Sequence, residues 1–285
     1  MPISPDLGEC RSVSLSSGPL SYRERGEGRP LVFVHGLLVN GDLWRKVVPG
    51  LSDVAHCITP DWPLGSHDVA RPADAEHTIE TVAASVAEFL ETLDLHDVVL
   101  VANDTGGAIT QHLITTQPER VGGIVLTPCD AFENFLPPRF RPLEWLAKSQ
   151  TLFDLTLQTL RFDAIRYSPL VLGGLVKRRL PPEIAESYVG PVLRDAGIRR
   201  DAGKLVRSID PRITLEAAAK LEGFTKPTLL AWASEDQVFL PKHARALADR
   251  LPHAEVVWID DSRSFVPEDR PEPLVEAMRS FLSRL

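Results

Sequence analysis

Cysteine is scarce in this 285-residue sequence: Cys10, Cys57 and Cys129 are its only three, an odd number with no motif spacing. That excludes a disulfide framework or a cysteine-rich zinc site and fits reduced thiols in the cytoplasm. Long apolar runs are missing too. No stretch approaches the ~18 uninterrupted apolar residues of a membrane span. The opening MPISPDLGEC has no basic start followed by an apolar run, so no secretory signal is expected. Positive charge is in deficit, with 31 Lys and Arg against 39 Asp and Glu and a net charge of −8. Arg161, Arg166, Lys177, Arg178 and Arg179 are dispersed over helical segments and read as a solvated face. No basic stripe carries interleaved aromatics, which argues against nucleic acid as a partner. Nucleotide fingerprints and metal-ligand clusters are also absent, so the expectation is a cytoplasmic, cofactor-independent protein with a small-molecule substrate and no membrane partner.

What is present is enough apolar sequence, 44%, to bury a large core. Segments 11–16 and 19–24 alternate polar and apolar residues around Ser17-Gly18, which predicts an antiparallel hairpin. Leu31-Val32-Phe33-Val34 and Val98-Val99-Leu100-Val101 are continuous apolar runs bounded by turn signals, as strands buried on both faces require. Residues 56–60, 124–126, 228–232 and 255–259 complete the predicted strands. Helical spacing marks 79–93, 106–117, 241–250 and 272–284. Between 131 and 222 the alternation stops, and helical patterns broken by prolines take over. The fold class expected is α/β: a mostly parallel sheet flanked by helices, with a core of 1–130 and 223–285 and an inserted helical cap of 131–222. Ligands of such sheets bind beyond the carboxyl ends of the strands. That directs attention to His35-Gly36, Asp61, Asp104, Asp130, Asp236 and the loop 260–265.

The segment Ala102-Asn103-Asp104-Thr105-Gly106 lies between a predicted strand and a predicted helix. A strained strand-to-helix elbow needs small residues two positions either side of its tip, and Ala102 and Gly106 supply them around Asp104. At a helix N-terminus the backbone dipoles would favour the negative charge of Asp104. With His35-Gly36 one strand earlier and Ala231-Trp232-Ala233-Ser234-Glu235-Asp236 after a late strand, the chain resembles the α/β-hydrolase superfamily over nearly its whole length. An aspartate at the elbow is the choice of its haloalkane dehalogenase and epoxide hydrolase branch. The resemblance implies a reactive carboxylate at Asp104 and an oxyanion hole from the amides of Leu37 and Thr105. It implies a buttressing His35 and an acid at Asp236 that orients a catalytic histidine. Asp130 and Glu133 follow the preceding strand, where some dehalogenases put that acid.

The histidine itself is missing. The family's Asp-x-x-His-Phe segment is here Asp261-Ser262-Arg263-Ser264-Phe265. Neither Ser264 nor the permanent cation Arg263 is a base near neutral pH. A carboxylate can attack an alkyl carbon unaided, but hydrolysing the resulting ester normally draws ~10²–10⁴-fold from a general base. His67 is the candidate for a relocated base. The other routes are lyase, isomerase or cyclase chemistry in which Asp104, its pKa raised by an apolar pocket, is itself the acid or base and no ester intermediate is needed, with Asp236 and Arg263 forming an ion pair, or ligand binding without turnover. His112 lies about 12 Å along its helix from Asp104 and is not expected in the pocket. His56, His77, His96, His243 and His253 are expected at the surface. Thr105 and Leu37 occupy the places where dehalogenases of this resemblance carry halide-binding Trp and Asn, while Asn40 is three residues late. Tyr167 and Tyr188 fall in the cap, where epoxide hydrolases carry two tyrosines. Asn40, Tyr167, Tyr188, Arg263, Ser264 and His35 are therefore the candidate substrate contacts, with an apolar substrate of the ester, epoxide or halide type expected.

Overall fold

The computed structural model describes residues 4–285; the first three residues, with which the reading for a secretory signal begins, lie outside it. Eight strands form one sheet: β1 (Glu9–Leu15), β2 (Gly18–Arg25), β3 (Arg29–Val34), β4 (Ala55–Pro60), β5 (Val98–Asp104), β6 (Val121–Cys129), β7 (Thr228–Ala233) and β8 (Ala254–Ile259). Their order is β1-β2-β4-β3-β5-β6-β7-β8. The hairpin β1–β2 and the pair β2–β4 are antiparallel, and every pairing from β4 to β8 is parallel. Helices α1 (Ile79–Thr92), α2 (Thr105–Thr116), α10 (Pro241–Ala248), α11 (Val266–Asp269) and α12 (Pro271–Leu282) belong to this alternating part. From β6 to β7 the chain is helical: α3 (Arg141–Ala147), α4 (Gln150–Gln158), α5 (Asp163–Arg166), α6 (Leu172–Leu175), α7 (Pro182–Arg194), α8 (Ala196–Ser208) and α9 (Pro211–Ala218).

The central strands are buried end to end because helices cover both faces; all seven residues of β5 and all nine of β6 are inaccessible or nearly so. Strand β8, at the edge, is half-exposed. Ile79, Val82, Val86, Phe89 and Leu90 of α1 form the inward stripe that its 3.6-residue spacing dictates, and Thr78 caps the helix through a reciprocal bond with Thr81. Parallel strands all end on one side of the sheet, so the residues after β3, β5, β6, β7 and β8 converge there.

The helical block is tied to this carboxyl edge by buried polar contacts. Arg45 pairs with Glu268 through both nitrogens, and the Tyr188 hydroxyl donates to Glu268 at 2.8 Å. Asn40 donates to the Ser187 carbonyl at 3.0 Å, and Ser187 donates to Asp42 at 2.6 Å. His67 and Asp201 lie 3.3 Å apart, and Asp201 also accepts from the Arg71 amide at 2.6 Å. Each tie joins residues more than 75 positions apart, so none leaves a local sequence signal.

Candidate active site

Asp104 stands at the last position of β5 with φ 57° and ψ −133°. This is a region an L-residue enters only when its surroundings over-determine it, and here they do. A Cβ on Gly106 would strike the carbonyls of Val34 and His35, and one on Gly107 would strike the Cys129 side chain. A Cβ on Gly36 would collide with the Asp104 side chain itself. The two small residues after the tip let α2 start against β3, while Gly36 leaves the room into which the carboxylate projects. Asp104 remains 9% exposed among neighbours that are almost all sealed.

The Thr105 amide donates to Asp104 Oδ1 at 2.5 Å, and the Leu37 amide also bonds the carboxylate. The two amides that the sequence assigns to an oxyanion hole thus converge on this side chain. Burial pushes the Asp104 pKa up, and the Thr105 and Leu37 donors pull it down, with burial prevailing. The Thr105 hydroxyl is a contact that sequence reasoning missed: Oγ1 lies 3.0 Å from Asp104 Oδ1 and 3.4 Å from Asp130 Oδ2. A hydroxyl has one hydrogen to give. With that hydrogen on Asp104, a protonated Asp130 completes the chain by donating to Thr105. Burial and the charge of Asp104 both raise the Asp130 pKa well above its ordinary value, as this arrangement needs.

Asp236 follows β7 and is 3% exposed. Its Oδ1 accepts from the amides of Val238 (2.8 Å) and Phe239 (3.1 Å) and from the Ser264 hydroxyl (3.0 Å). Its Oδ2 has no partner among the described residues. Ser264 is fully buried, and its carbonyl is held by the Asn103 side-chain amide at 2.8 Å. The Ser264 hydroxyl therefore rests on the Asp236 carboxylate. Arg263 does not pair with Asp236, contrary to expectation: its guanidinium donates to the carbonyls of Gly173 and Val176, and its amide to Asp269. Position 264, not 263, points inward, so the long cation is directed to the ends of α6.

Burial raises the Asp236 pKa to about 6 from an ordinary 3.8, with a further push from Asp104. The folded protein therefore keeps a proton that the unfolded chain releases. The associated stability is fully present below pH 3.8 and is lost as pH rises through about 6. Asp236→Asn keeps the Oδ1 acceptor and removes the buried charge. It is expected to be more stable than the parent at pH 8, by at most about 3 kcal/mol, with the gain vanishing toward pH 4. Urea unfolding at the two pH values measures this, and a variant weaker at pH 8 would show that the carboxylate is needed.

The remaining candidates are placed as follows. His35 is sealed, with Nδ1 2.9 Å from the Gly36 carbonyl, and burial lowers its pKa to about 4, so it is neutral. His67 faces Asp201 and the Gly65 amide; burial lowers its pKa despite Asp201. Asn40 spends its side chain on Ser66, Ser187 and the Asp42 amide. The Tyr188 hydroxyl is bound to Glu268, and the Tyr167 hydroxyl donates to the Leu180 carbonyl at 3.3 Å beneath Arg179. Glu133 is exposed, while Asp130 is sealed beside Thr105. His112 is half-buried, with a pKa lowered by burial. Two histidines expected at the surface are buried: His77, which meets the Pro63 carbonyl at 2.7 Å, and His243. Arg166 is buried too, donating to the Leu160 carbonyl and to Glu186. Among the described residues no imidazole bonds Asp104 or Asp236, and no group of three His, Cys, Asp or Glu side chains is arranged to hold a metal ion.

The sheet that carries this elbow has a family counterpart: a profile of the alpha/beta hydrolase fold matches residues 29–271. The chain belongs to that family. It is similar to a cis-3-alkyl-4-alkyloxetan-2-one decarboxylase from Xanthomonas campestris pv. campestris, with 30% identity over 93% of this chain and 92% of that protein. It is similar also to haloalkane dehalogenase 2 of Mycobacterium bovis, with 26% identity over 95% and 93% of the two chains. The crystal structure of haloalkane dehalogenase DbeA from Bradyrhizobium elkani shares the fold, with a TM-score of 0.82 at 22% identity over 97% and 98% of the two chains. The protein is a hydrolase-fold enzyme related to dehalogenases and to an alkyloxetanone decarboxylase.

Proposed function

We propose that this chain is a cofactor-independent enzyme whose Asp104 carboxylate attacks a small, apolar, ring-strained or otherwise activated substrate, and that its turnover is non-hydrolytic. The amides of Leu37 and Thr105 stabilise developing negative charge, residues 131–222 act as a cap, and Asp236 persists as the acid of a triad whose base is gone. The observation that carries this reading is the Ser264 hydroxyl bonded to Asp236, because it leaves the site without a group to activate water.

A dialkyl oxetan-2-one meets these constraints, and the name of one relative is that of a decarboxylase of such lactones. Asp104 attacks the ring carbon that bears the ring oxygen. A carbon–oxygen bond to Asp104 forms while the ring carbon–oxygen bond breaks, freeing the substrate carboxylate. Loss of carbon dioxide then breaks the bond to the neighbouring carbon. Its electron pair becomes the alkene and expels Asp104 as free carboxylate. No water, proton or oxidant is consumed, so a missing histidine costs nothing.

Incubation with cis-3,4-dialkyl oxetan-2-ones in ¹⁸O-water tests the proposal. Alkene and carbon dioxide in equal amounts are expected, with no hydroxy acid formed. A 3-hydroxy acid carrying ¹⁸O from the solvent, or an inert lactone, overturns it.

A further inference from the structure

The helical block turns an unusual face outward. Trp145 is 64% exposed, Leu155 61%, Phe162 58% and Leu170 68%, with Leu152 and Ile165 adding to them. Large aromatic side chains of an inserted helical block are expected in its interior; Trp145 and Phe162 instead stand at the surface. They belong to one surface, because α3 packs on α4, and the turn at 159–161 packs on α4 and α5. Within α4 the inward positions are Phe153 and Leu157, leaving Leu152 and Leu155 on the outer side. Scattered exposed apolar residues need no explanation, but a run of large ones on packed neighbouring helices marks an interaction site.

Over 141–166, Arg141, Lys148, Arg161 and Arg166 stand against Glu144, Asp154 and Asp163, one positive charge in excess. Arg141, Trp145 and Lys148 stand at i, i+4 and i+7 on α3 and its C-cap, hence on one stripe. Arg161 precedes Phe162. Arg141, Lys148 and Arg161 have no carboxylate partner among the described residues, in a protein whose net charge is −8. A tryptophan flanked by unpaired cations, beside exposed Leu, Ile and Phe, is the chemistry of a helix lying in an anionic lipid interface. A two-fold pairing of this face with a second copy would gather both copies' Arg141, Lys148 and Arg161 in one seam, which disfavours self-association.

We propose that the outer face of α3–α5 docks on an anionic lipid surface, seating Trp145, Leu155 and Phe162 among the acyl chains and Arg141, Lys148 and Arg161 among the headgroups. This contact needs no membrane span, and no helix among the described residues is long and apolar enough to make one. It stands apart from the chemistry at Asp104.

Flotation with phosphatidylglycerol vesicles tests it, with phosphatidylcholine vesicles alongside. Binding to the first and little to the second is expected. Arg141→Glu with Lys148→Glu should weaken binding about tenfold or more, and so should high salt. Trp145→Ser with Leu155→Ser should abolish it, with thermal denaturation reporting that each variant is folded. Asp104→Asn should float as the parent does, which separates this result from the fate of the proposed chemistry. Failure to float, equal binding to both lipids, or a concentration-dependent dimer lost in Trp145→Ser would overturn the proposal.

Discussion

Asp104→Asn is expected to lose turnover by about 10⁴-fold or more while folding at least as stably as the parent. The amide keeps an oxygen where the Thr105 amide donates at 2.5 Å and has nearly the same volume, so the elbow need not move. It also removes a carboxylate whose burial raises its pKa, which relieves a desolvation cost. The expected signature is a dead enzyme with an undiminished melting temperature. Mass spectrometry of the parent with an alkyl halide adds a second readout: a persistent adduct on Asp104, absent from the Asn variant. A variant that keeps more than a tenth of parental turnover would remove Asp104 from the chemistry.

Ser264→His is expected to open a hydrolytic branch. The new ring would meet Asp236 Oδ2, the oxygen that now lacks a partner, and the acid would fix its tautomer. A positioned base accelerates hydrolysis of the Asp104 ester by ~10²–10⁴-fold. The trapped alkyl-halide adduct should then turn over to alcohol, with ¹⁸O from the solvent in the carboxyl group of Asp104 after the first cycle. A partnered Asp236 should titrate below its present value of about 6. Ser264 is sealed, so the larger ring costs about 1–3 kcal/mol in packing. Ser264→Ala, which fits the space without supplying a base, should show no hydrolysis. A folded histidine variant that still accumulates the adduct would mean that the missing base is not what blocks hydrolysis.

The sheet was legible because its signals are local. The apolar runs at Leu31 and Val98 mark strands covered on both faces, and the 3.6-residue stripe of α1 marks a helix on one of them. Ala102 and Gly106 announced the elbow through sterics that act over two residues, and the φ of 57° at Asp104 is their outcome. Side-chain direction was not legible. Nothing local tells that Ser264 turns in and Arg263 turns out, because the choice is made by Asn103, Asp269 and the carbonyls of α6. The same holds for His77 and His243, both expected at the surface and both buried. The Thr105 hydroxyl is a third case. Its position beside Asp104 was plain, but the approach of Asp130 depends on the pairing of β5 with β6.

Arg45–Glu268–Tyr188, Asn40–Ser187 and His67–Asp201 act together as three bolts through one plate. Swinging the helices away would part Tyr188 from the Arg45–Glu268 pair, Asn40 from Ser187 and His67 from Asp201, at a cost of about 1–3 kcal/mol for each buried group left unpaired. The helical block is therefore expected to stay seated on the carboxyl edge, and Leu37 and Leu38, both half-exposed, lie at that edge without a bolt across them.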